Sequence, residues 1–275
     1  MSDTATENFE GLDVRVDGRV GRLTLDRPDR LNALGATTLR ELTRAARWLD
    51  EQADLRVVVV SGNGRAFSAG ADLRDPPLAG AAASSGLPWT ERREIGRLGL
   101  VMAEAVERMR AVTVAKVHGH VVGGGVVLMG ACDLRLAADG TRFSIPEVDL
   151  GIPLTWGAIP RLVRDVGPAR TKDWVMTCRT FDADEALVAG LVNRVVAGDS
   201  LDRAADDLAE TLADKPSVPI RQTKEQVNAA SGALAAATTT YADGDLLLEA
   251  ALDPEAQQAA AAYLERTFAR NKSGG

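Results

Sequence analysis

Two apolar runs constrain the fold of this chain most, because each is followed by a glycine-bearing loop. RVVVVSG at residues 56–62 leads to the loop FSAGAD at 67–72, and VTVAKVH at 112–118 leads to the triglycine at 123–125. A continuous β-branched run is typical of a strand covered on both faces, as in a parallel sheet. Loops at the ends of such strands can expose backbone N–H groups. We therefore expect the two loops to face one small oxygen atom, as in an oxyanion hole.

Strands and helices alternate over the first part of the chain. LDVRVDGRVGRLTL at 12–25 predicts a β-hairpin with its turn at Asp17-Gly18, and LRLAA at 134–138 predicts a further strand. A helix is expected from Thr38, with Thr38 and Glu41 as a capping box. Its apolar stripe is Leu39, Leu42, Ala46 and Leu49, and that of a second helix from Thr90 is Ile95, Leu98, Met102, Val106 and Met109. The alternation favours parallel strands with crossover helices.

The last part of the chain has a different pattern, helical and rich in alanine from Ser200 onward. Long helices are expected at 219–250 and 254–270. Their thin apolar faces would bury little alone, so we expect them to pack on the core or on a neighbouring subunit. The predicted organisation is an α/β core at 1–199 and a helical region at 200–275. The stretch 75–89, rich in Pro, Ala, Gly and Ser, is expected to be a mobile surface loop.

Composition excludes several classes of function. The net charge of −7 over 275 residues argues against a nucleic-acid partner. The longest apolar stretch, Val121 to Cys132, has 12 residues, whereas about 20 are needed to span a bilayer, so no membrane helix is expected. The acidic N-terminus lacks the apolar segment of a secretory signal, which favours a cytoplasmic location. Cys132 and Cys178 are expected to be free thiols, and the His118/His120 pair is too sparse to predict a metal site.

One carboxylate stands out as a candidate acid or base. Glu147 follows Pro146 in the stretch FSIPEVDLGIP. A pocket wall of Val127, Ile152 and Trp156 would raise the pKa of its carboxyl toward the working range. With the two loops, Glu147 indicates chemistry on an acyl thioester. Ser68, activated by a nearby histidine, is an alternative nucleophile and would make the chain a thioesterase or peptidase.

Six motifs in order along the chain resemble landmarks of the crotonase family, the enoyl-CoA hydratases and isomerases. They are RPDRLNAL, RAFSAGADL, VHGHVVGGG, CDLRLAA, FSIPEVDLGIP and AGLVNRVV. The resemblance implies a spiral of ββα units with a C-terminal helical region that assembles a homotrimer or a dimer of trimers. It also implies an acyl-coenzyme A thioester as substrate, with coenzyme A as part of that substrate and no separate cofactor.

The same resemblance assigns residues to this site. It implies that the backbone N–H groups of Ala71 and Gly124 bind the thioester carbonyl oxygen, and that Lys272 contributes from a neighbouring subunit. The coenzyme A moiety and the rest of the substrate would contact a larger set of residues. These are Arg27, Arg30, Leu31, Ala33, Ala69, Asp72, Leu73, Gly123, Val127, Ile152 and Trp156.

The chain departs from the hydratase pattern at one position. That pattern has two glutamates, and here their positions hold Val127 and Glu147. Losing one acid/base group forfeits about 10²–10⁴ in rate, so a double-bond shift by Glu147 alone is the leading hypothesis. Hydration with one atypical acid/base position and acyl-CoA binding without turnover are the alternatives. Thr155 occupies a position where dienoyl-CoA isomerases and aryl-CoA dehalogenases would have aspartate, which disfavours those two reactions.

Overall fold

A seven-stranded sheet forms the centre of the molecule. The computed structural model describes residues 5–74, 86–234 and 237–273. The strands of this sheet, in spatial order, are β1 (Ala5–Thr6), β2 (Leu12–Asp17), β3 (Val20–Leu25), β4 (Val57–Gly62), β5 (Val112–Val117), β7 (Leu134–Ala138) and β10 (Arg194–Val196). A second sheet contains β6 (His120–Val122), β8 (Arg142–Ser144) and β9 (Phe181–Asp182).

Ten α-helices connect and cover the strands in the described parts of the chain. They are α1 (Ala36–Glu51), α2 (Trp89–Gly96), α3 (Leu98–Glu107), α4 (Gly124–Gly130), α5 (Ala158–Thr177), α6 (Ala183–Ala189), α7 (Leu201–Ala213), α8 (Ser217–Leu234), α9 (Asp243–Ala250) and α10 (Pro254–Ser273). Short 3₁₀ segments lie at Pro28–Arg30, Gly198–Ser200 and Ala237–Ala242.

The large sheet begins with a hairpin and continues in parallel. β2 and β3 are antiparallel, with Asp17 opposite Val20, so the predicted hairpin is confirmed and its turn lies at Gly18-Arg19. From β3 through β4, β5, β7 and β10 every neighbouring pair is parallel. This confirms the expected parallel strands, which need crossover connections because the chain must return to the same end of the sheet each time.

Both faces of β4 are buried, as the continuous apolar run predicts. Val58 and Val60 belong to the main core together with the stripe of α1. Val57 and Val59 point to the opposite face, where they pack against α7. Alternate side chains of a strand face opposite sides of a sheet, so a strand between two helical layers has apolar residues on both faces. The helical region from Ser200 therefore packs on the core through α7.

Several predicted helix boundaries are wrong. The capping box fails because α1 begins at Ala36 with Gly35 as its N-cap, and no side chain caps it. Thr38 lies inside the helix, where its hydroxyl accepts a hydrogen bond from Arg27 Nη1. The helix expected from Thr90 is two helices that meet at Arg97, and Met109 lies beyond the second. The stripe residues Met102, Val106 and Met109 are nevertheless buried.

The predicted long helix at 219–250 is also interrupted. It is replaced by α8, a 3₁₀ segment and α9. α9 packs against α2, where Gly96 and Gly244 bring the two backbones close together. The apolar periodicity of a single helix does not predict a contact between two helices that are far apart in the sequence, so the sequence pattern did not show this packing.

Three further predictions concern single features. Residues 75–85 of the predicted surface loop lie outside the described residues, and Trp89 already begins α2. Both cysteines are free thiols, Cys132 buried and Cys178 half-buried. In the described parts of the chain, no helix is long and apolar enough to cross a lipid bilayer.

Candidate active site

The FSAGAD loop is held between two other segments by backbone hydrogen bonds. On one side, Phe67 N and Ser68 N donate to the carbonyl oxygens of His118 and His120, at 3.0 and 3.2 Å. On the other side, Ala69 N donates to Leu31 O at 2.9 Å. The loop therefore lies between residues 30–34 (RLNAL) on one flank and the start of β6 on the other, and hydrogen bonds on both flanks hold its backbone in place.

The backbone N–H of Ala71 points away from its neighbouring segment. Ala71 forms a parallel bridge with Leu34, in which Leu34 N donates to Gly70 O and Asp72 N donates to Leu34 O. In such a bridge the residues on either side of Ala71 make the hydrogen bonds, and its own N–H faces the other way. Among the described residues, the Ala71 amide has no acceptor.

The second candidate donor is the first residue of a helix. Gly123 is the N-cap of α4, with φ +46°, and its own N–H donates to Ser144 O at 2.9 Å. Gly124 follows at the first helical position, where an N–H has no partner within the helix. In the described parts of the chain the Gly124 amide likewise has no acceptor, and the positive end of the helix dipole favours an anion there.

Gly70 connects the two donors in space. Its φ is +83°, and a Cβ built at this residue would lie 2.6 Å from Val122 O and 3.4 Å from Gly124 N. Only glycine fits this approach, because both the backbone conformation and the contact exclude a side chain. The structure thus brings the FSAGAD loop and the triglycine together, as the sequence predicted, with Ala71 next to the contact.

Glu147 lies directly against the triglycine. It follows β8 in a turn closed by Ile152 N donating to Glu147 O at 3.0 Å. A Cβ built at Gly123 would lie 2.4 Å from Glu147 Oε1. Although the residue as a whole is half-exposed, Oε2 is buried and has no hydrogen-bond partner among the described residues. Burial raises the pKa of Glu147 to about 7, opposed only by a hydrogen bond from its own backbone N–H.

Two residues near this carboxylate were not found by sequence reasoning. They are Tyr263 on α10 and Cys178. Burial is the main cause that raises the pKa of the Tyr263 hydroxyl and of the Cys178 thiol, and the negative charge of Glu147 raises both further. α10 also covers the turn after Glu147, since a Cβ at Gly151 would lie 2.2 Å from Ala256 O. Ala256 and Tyr263 are seven residues apart and therefore share one face of the helix. In the sequence, the partly apolar face of α10 indicates that this helix packs on another part of the protein, but it does not indicate which part.

Val127 lies one helical turn below the contact between Gly123 and Glu147. Its N–H donates to Gly123 O at 3.1 Å, and its side chain is buried. Val127 and Gly123 line a small cavity of about 10 Å³ together with Leu154, Ala158 and Leu162. Because residue 127 is a valine, it can neither accept nor donate a proton beside the triglycine.

Arg27 and Arg30 share a buried carboxylate. Asp72, 3% exposed, accepts from Arg27 Nη2 at 3.3 Å and from Arg30 Nη2 at 2.9 Å. Burial opposes ionisation, yet the N–H of Arg74 and the two guanidinium groups lower the pKa of Asp72. Two cations on one anion leave a net positive charge, which suits an anionic ligand.

The other predicted contacts with coenzyme A surround these arginines. Leu31 has φ +50°, Ala33 O accepts from Arg27 Nη1 at 2.9 Å, and Ala69 bonds to Leu31 as described above. Leu73 is half-buried next to Asp72. The side chain of Lys272 lies outside the described residues. The described residues predicted to contact coenzyme A in these two segments, 27–33 and 69–73, therefore lie close together in the structure.

Ser68 does not have the surroundings of a nucleophile. Its hydroxyl is fully buried, donates to Asn32 O at 2.8 Å and accepts from Gly70 N at 3.2 Å. The nearby His118 bonds through Nε2 to Gly64 O instead. Ser68 holds the FSAGAD loop in shape, and the thioesterase or peptidase interpretation has no support in this geometry.

The remaining pocket residues lie where the chain turns into α5. Ile152 is half-buried beside Glu147, and Thr155 is buried with its carbonyl accepting from Ala158 N at 3.1 Å. Trp156 is 5% exposed and packs against Gly124. A parallel sheet, two adjacent loops whose backbone amides have no acceptor among the described residues, and one partly buried carboxylate together define an α/β protein with a candidate acid/base site.

Comparison with known proteins identifies the family. Residues 15–273 match the family model described as enoyl-CoA hydratase/isomerase, and the chain belongs to this family. It is 37% identical over 222 residues to a protein of Mycobacterium bovis named probable enoyl-CoA hydratase, which covers 81% of this chain and 82% of that protein. A peroxisomal Δ(3,5)-Δ(2,4)-dienoyl-CoA isomerase of Arabidopsis thaliana is 34% identical over 227 residues, covering 79% of this chain and 81% of the isomerase.

Solved structures agree with this assignment. An enoyl-CoA hydratase from Mycobacterium avium subsp. paratuberculosis superimposes with a TM-score of 0.81 at 26% identity, covering 93% of this chain and all of that one. The predicted crotonase fold, with its helical C-terminal region, is confirmed.

Proposed function

We propose that this enzyme shifts the double bond of an enoyl-CoA thioester, with Glu147 as the one proton carrier. One observation supports this most: the carboxylate of Glu147 stands against Gly123, its Oε2 is buried, and neither Oε2 nor the adjacent Gly124 N–H has a hydrogen-bond partner among the described residues. A carboxyl whose pKa is raised to about 7 is well matched to removing and returning a proton at neutral pH.

The proposed reaction has two proton transfers on one face of the substrate. The ionised carboxylate of Glu147 removes a proton from the carbon between the thioester and the double bond of a 3-enoyl-CoA. The electron pair moves into a dienolate, whose negative oxygen accepts hydrogen bonds from Ala71 N–H and Gly124 N–H. Glu147 then returns the proton to the far end of the dienolate, giving the 2-enoyl-CoA. Each backbone donor of this kind contributes about 2.7–4 kcal/mol of transition-state stabilisation.

Substrate binding in this proposal uses the positive site at Arg27 and Arg30. The phosphate groups of coenzyme A would lie there, and the reaction needs no further cofactor because the proton and the electron pair both come from the substrate. The neutral Val127 suits an isomerase, since a double-bond shift requires no water to be held on that side.

Hydration of a 2-enoyl-CoA is the second candidate, favoured by the names of relatives such as the Mycobacterium bovis protein. One preparation assayed for isomerisation of 3-hexenoyl-CoA and for hydration of crotonyl-CoA separates the two. We expect the first rate to exceed the second by at least about 10², the usual contribution of one acid/base group. Faster hydration would overturn the proposal in favour of a hydratase, and tight binding without either reaction would leave a binding module.

A further inference from the structure

Trp156 has a backbone conformation that tryptophan seldom adopts. Its φ is +60°, in the left-handed region, and the following Gly157 has φ +70°. For a bulky residue this conformation is strained and persists only where surrounding contacts hold it. Here they do: Gly157 N donates to Asp243 Oδ2 at 2.6 Å, and Arg161 Nη1 donates to Gly157 O at 2.9 Å.

The strained turn directs the indole ring between two helix N-termini. A Cβ built at Gly99, near the start of α3, would lie 1.9 Å from Trp156 Cδ2. A Cβ built at Gly124, the first residue of α4, would lie 2.4 Å from Trp156 Cζ3. Neither glycine has a positive φ, so the backbone conformation does not require glycine at either position. The reason for glycine is space, because a side chain there would overlap the indole. An isolated glycine within an apolar helix indicates such a packing constraint.

The position of the indole determines where an acyl chain can go. In the proposed reaction the thioester oxygen lies at the amide of Gly124 and the reacting carbon faces Glu147, beside Gly123. Coenzyme A is large and polyanionic, so it stays on the solvent side near Arg27 and Arg30. The acyl end must then run inward past Gly124, and the indole of Trp156 already fills the space against that residue.

We propose that Trp156 is the end wall of the acyl pocket and restricts this enzyme to short acyl chains of about four to six carbons. This inference rests on the proposed function and adds the substrate class. The side chain is almost fully buried between the two glycines, so a longer chain has to displace it. An indole held by a clamped backbone does not move aside at low cost, because Asp243 and Arg161 fix the turn that carries it.

The test compares chain lengths in wild type and in Trp156→Gly. Glycine readily adopts the positive φ of this turn, so the variant keeps the backbone and loses only the wall. We expect wild type to isomerise 3-hexenoyl-CoA with a kcat/KM at least about tenfold above that for 3-dodecenoyl-CoA. In Trp156→Gly the ratio should fall by about tenfold or more. Trp48→Ala is the matched control, because Trp48 packs on Phe9 with ring centroids 5.9 Å apart, and it should keep the wild-type ratio.

Binding separates this inference from the proposed function. The dissociation constants of butanoyl-CoA and dodecanoyl-CoA, measured by calorimetry, require no turnover. A gain of about tenfold in affinity for dodecanoyl-CoA on Trp156→Gly supports the end wall even if neither variant isomerises any substrate. Equal preference for the two lengths in wild type, or an unchanged ratio in a folded Trp156→Gly, overturns it. If Trp156→Gly does not fold, the same dissociation constants are measured for Trp156→Ala.

Discussion

The carboxylate of Glu147 lies against the α-carbon of Gly123, so close that a Cβ there would come within 2.4 Å of Oε1. The backbone N–H of the next residue, Gly124, has no acceptor in the described parts of the chain. In the proposed reaction, one glycine therefore makes room for the acid/base group while its neighbour offers a donor to the oxyanion.

Replacing the carboxylate should remove turnover and spare binding. We expect Glu147→Gln to lower kcat for 3-hexenoyl-CoA by about 10²–10⁴, because glutamine cannot accept the proton. The dissociation constant of butanoyl-CoA should change little, since the amide keeps the shape of the side chain. Asp149→Asn is the control, an exposed carboxylate two residues away. Unchanged turnover in Glu147→Gln would exclude the proton-carrier role.

The raised pKa of Glu147 predicts two pH effects with opposite signs. Activity needs the ionised form, so kcat/KM should fall as the pH drops below about 7. Stability behaves differently. The folded chain keeps this proton up to pH about 7, whereas the unfolded chain loses it near 4.5, so folding takes up a proton between these values and stability decreases as the pH rises.

Glu147→Gln removes that loss of stability. We expect the variant to exceed wild type by about 2–3 kcal/mol at pH 8 and to match it below pH 4.5. Urea unfolding of both proteins at the two pH values measures the difference. An equal free energy of unfolding at pH 8 would mean that the carboxylate is not desolvated in the folded chain.

A methyl group at Gly70 should disturb the two donors. In Gly70→Ala the new Cβ would lie 2.6 Å from Val122 O at a φ of +83°, which moves the FSAGAD loop away from Gly124. We expect kcat to fall by about 10²–10³, the cost of losing one oxyanion donor. Gly140→Ala is the control, since no atom lies within 4 Å of its Cβ position.

Installing a carboxylate at Val127 should favour hydration. We expect Val127→Glu to raise the rate of crotonyl-CoA hydration by about 10² or more over wild type, because a second acid/base group becomes available. The position is buried, so the free energy of unfolding should drop by a few kcal/mol. Val127→Gln has the same size without the charge, and an equal hydration rate in the two variants would contradict the prediction.

Removing one cation should weaken substrate binding uniformly. Arg30→Ala leaves Arg27 alone with Asp72, so the local charge becomes neutral. We expect KM to rise by about tenfold with kcat nearly unchanged, the signature of lost ground-state binding. Arg203→Ala serves as control, because Arg203 is an exposed residue on α7. A fall in kcat with constant KM would place Arg30 in the reaction itself.

Short-range patterns in the sequence determined much of this fold. The runs that form β4 and β5 predict buried parallel strands, because strands between two helical layers carry apolar residues on both faces. The stripe of α1 and the turn of the first hairpin are equally local. The two glycine loops were identified from the residues that follow these strands, and Glu147 from its place after Pro146; the structure brings them together.

Tertiary contacts decided the rest. The sequence pattern did not predict the interruptions at Arg97 and after α8. In the fold α2 packs against α9, about 150 residues away, and local periodicity does not encode such a contact. Among the described residues Glu147 Oε2 is buried without a partner, and its charge acts on Tyr263 of α10 and on Cys178, residues that only the folded chain brings near it. Likewise, the sequence predicted Trp156 as part of a pocket wall, but only the folded chain shows that Gly99 and Gly124 leave the space for its ring. Residue types and their spacing set the available chemistry, whereas burial and distance, which depend on the whole folded chain, decide which groups act together.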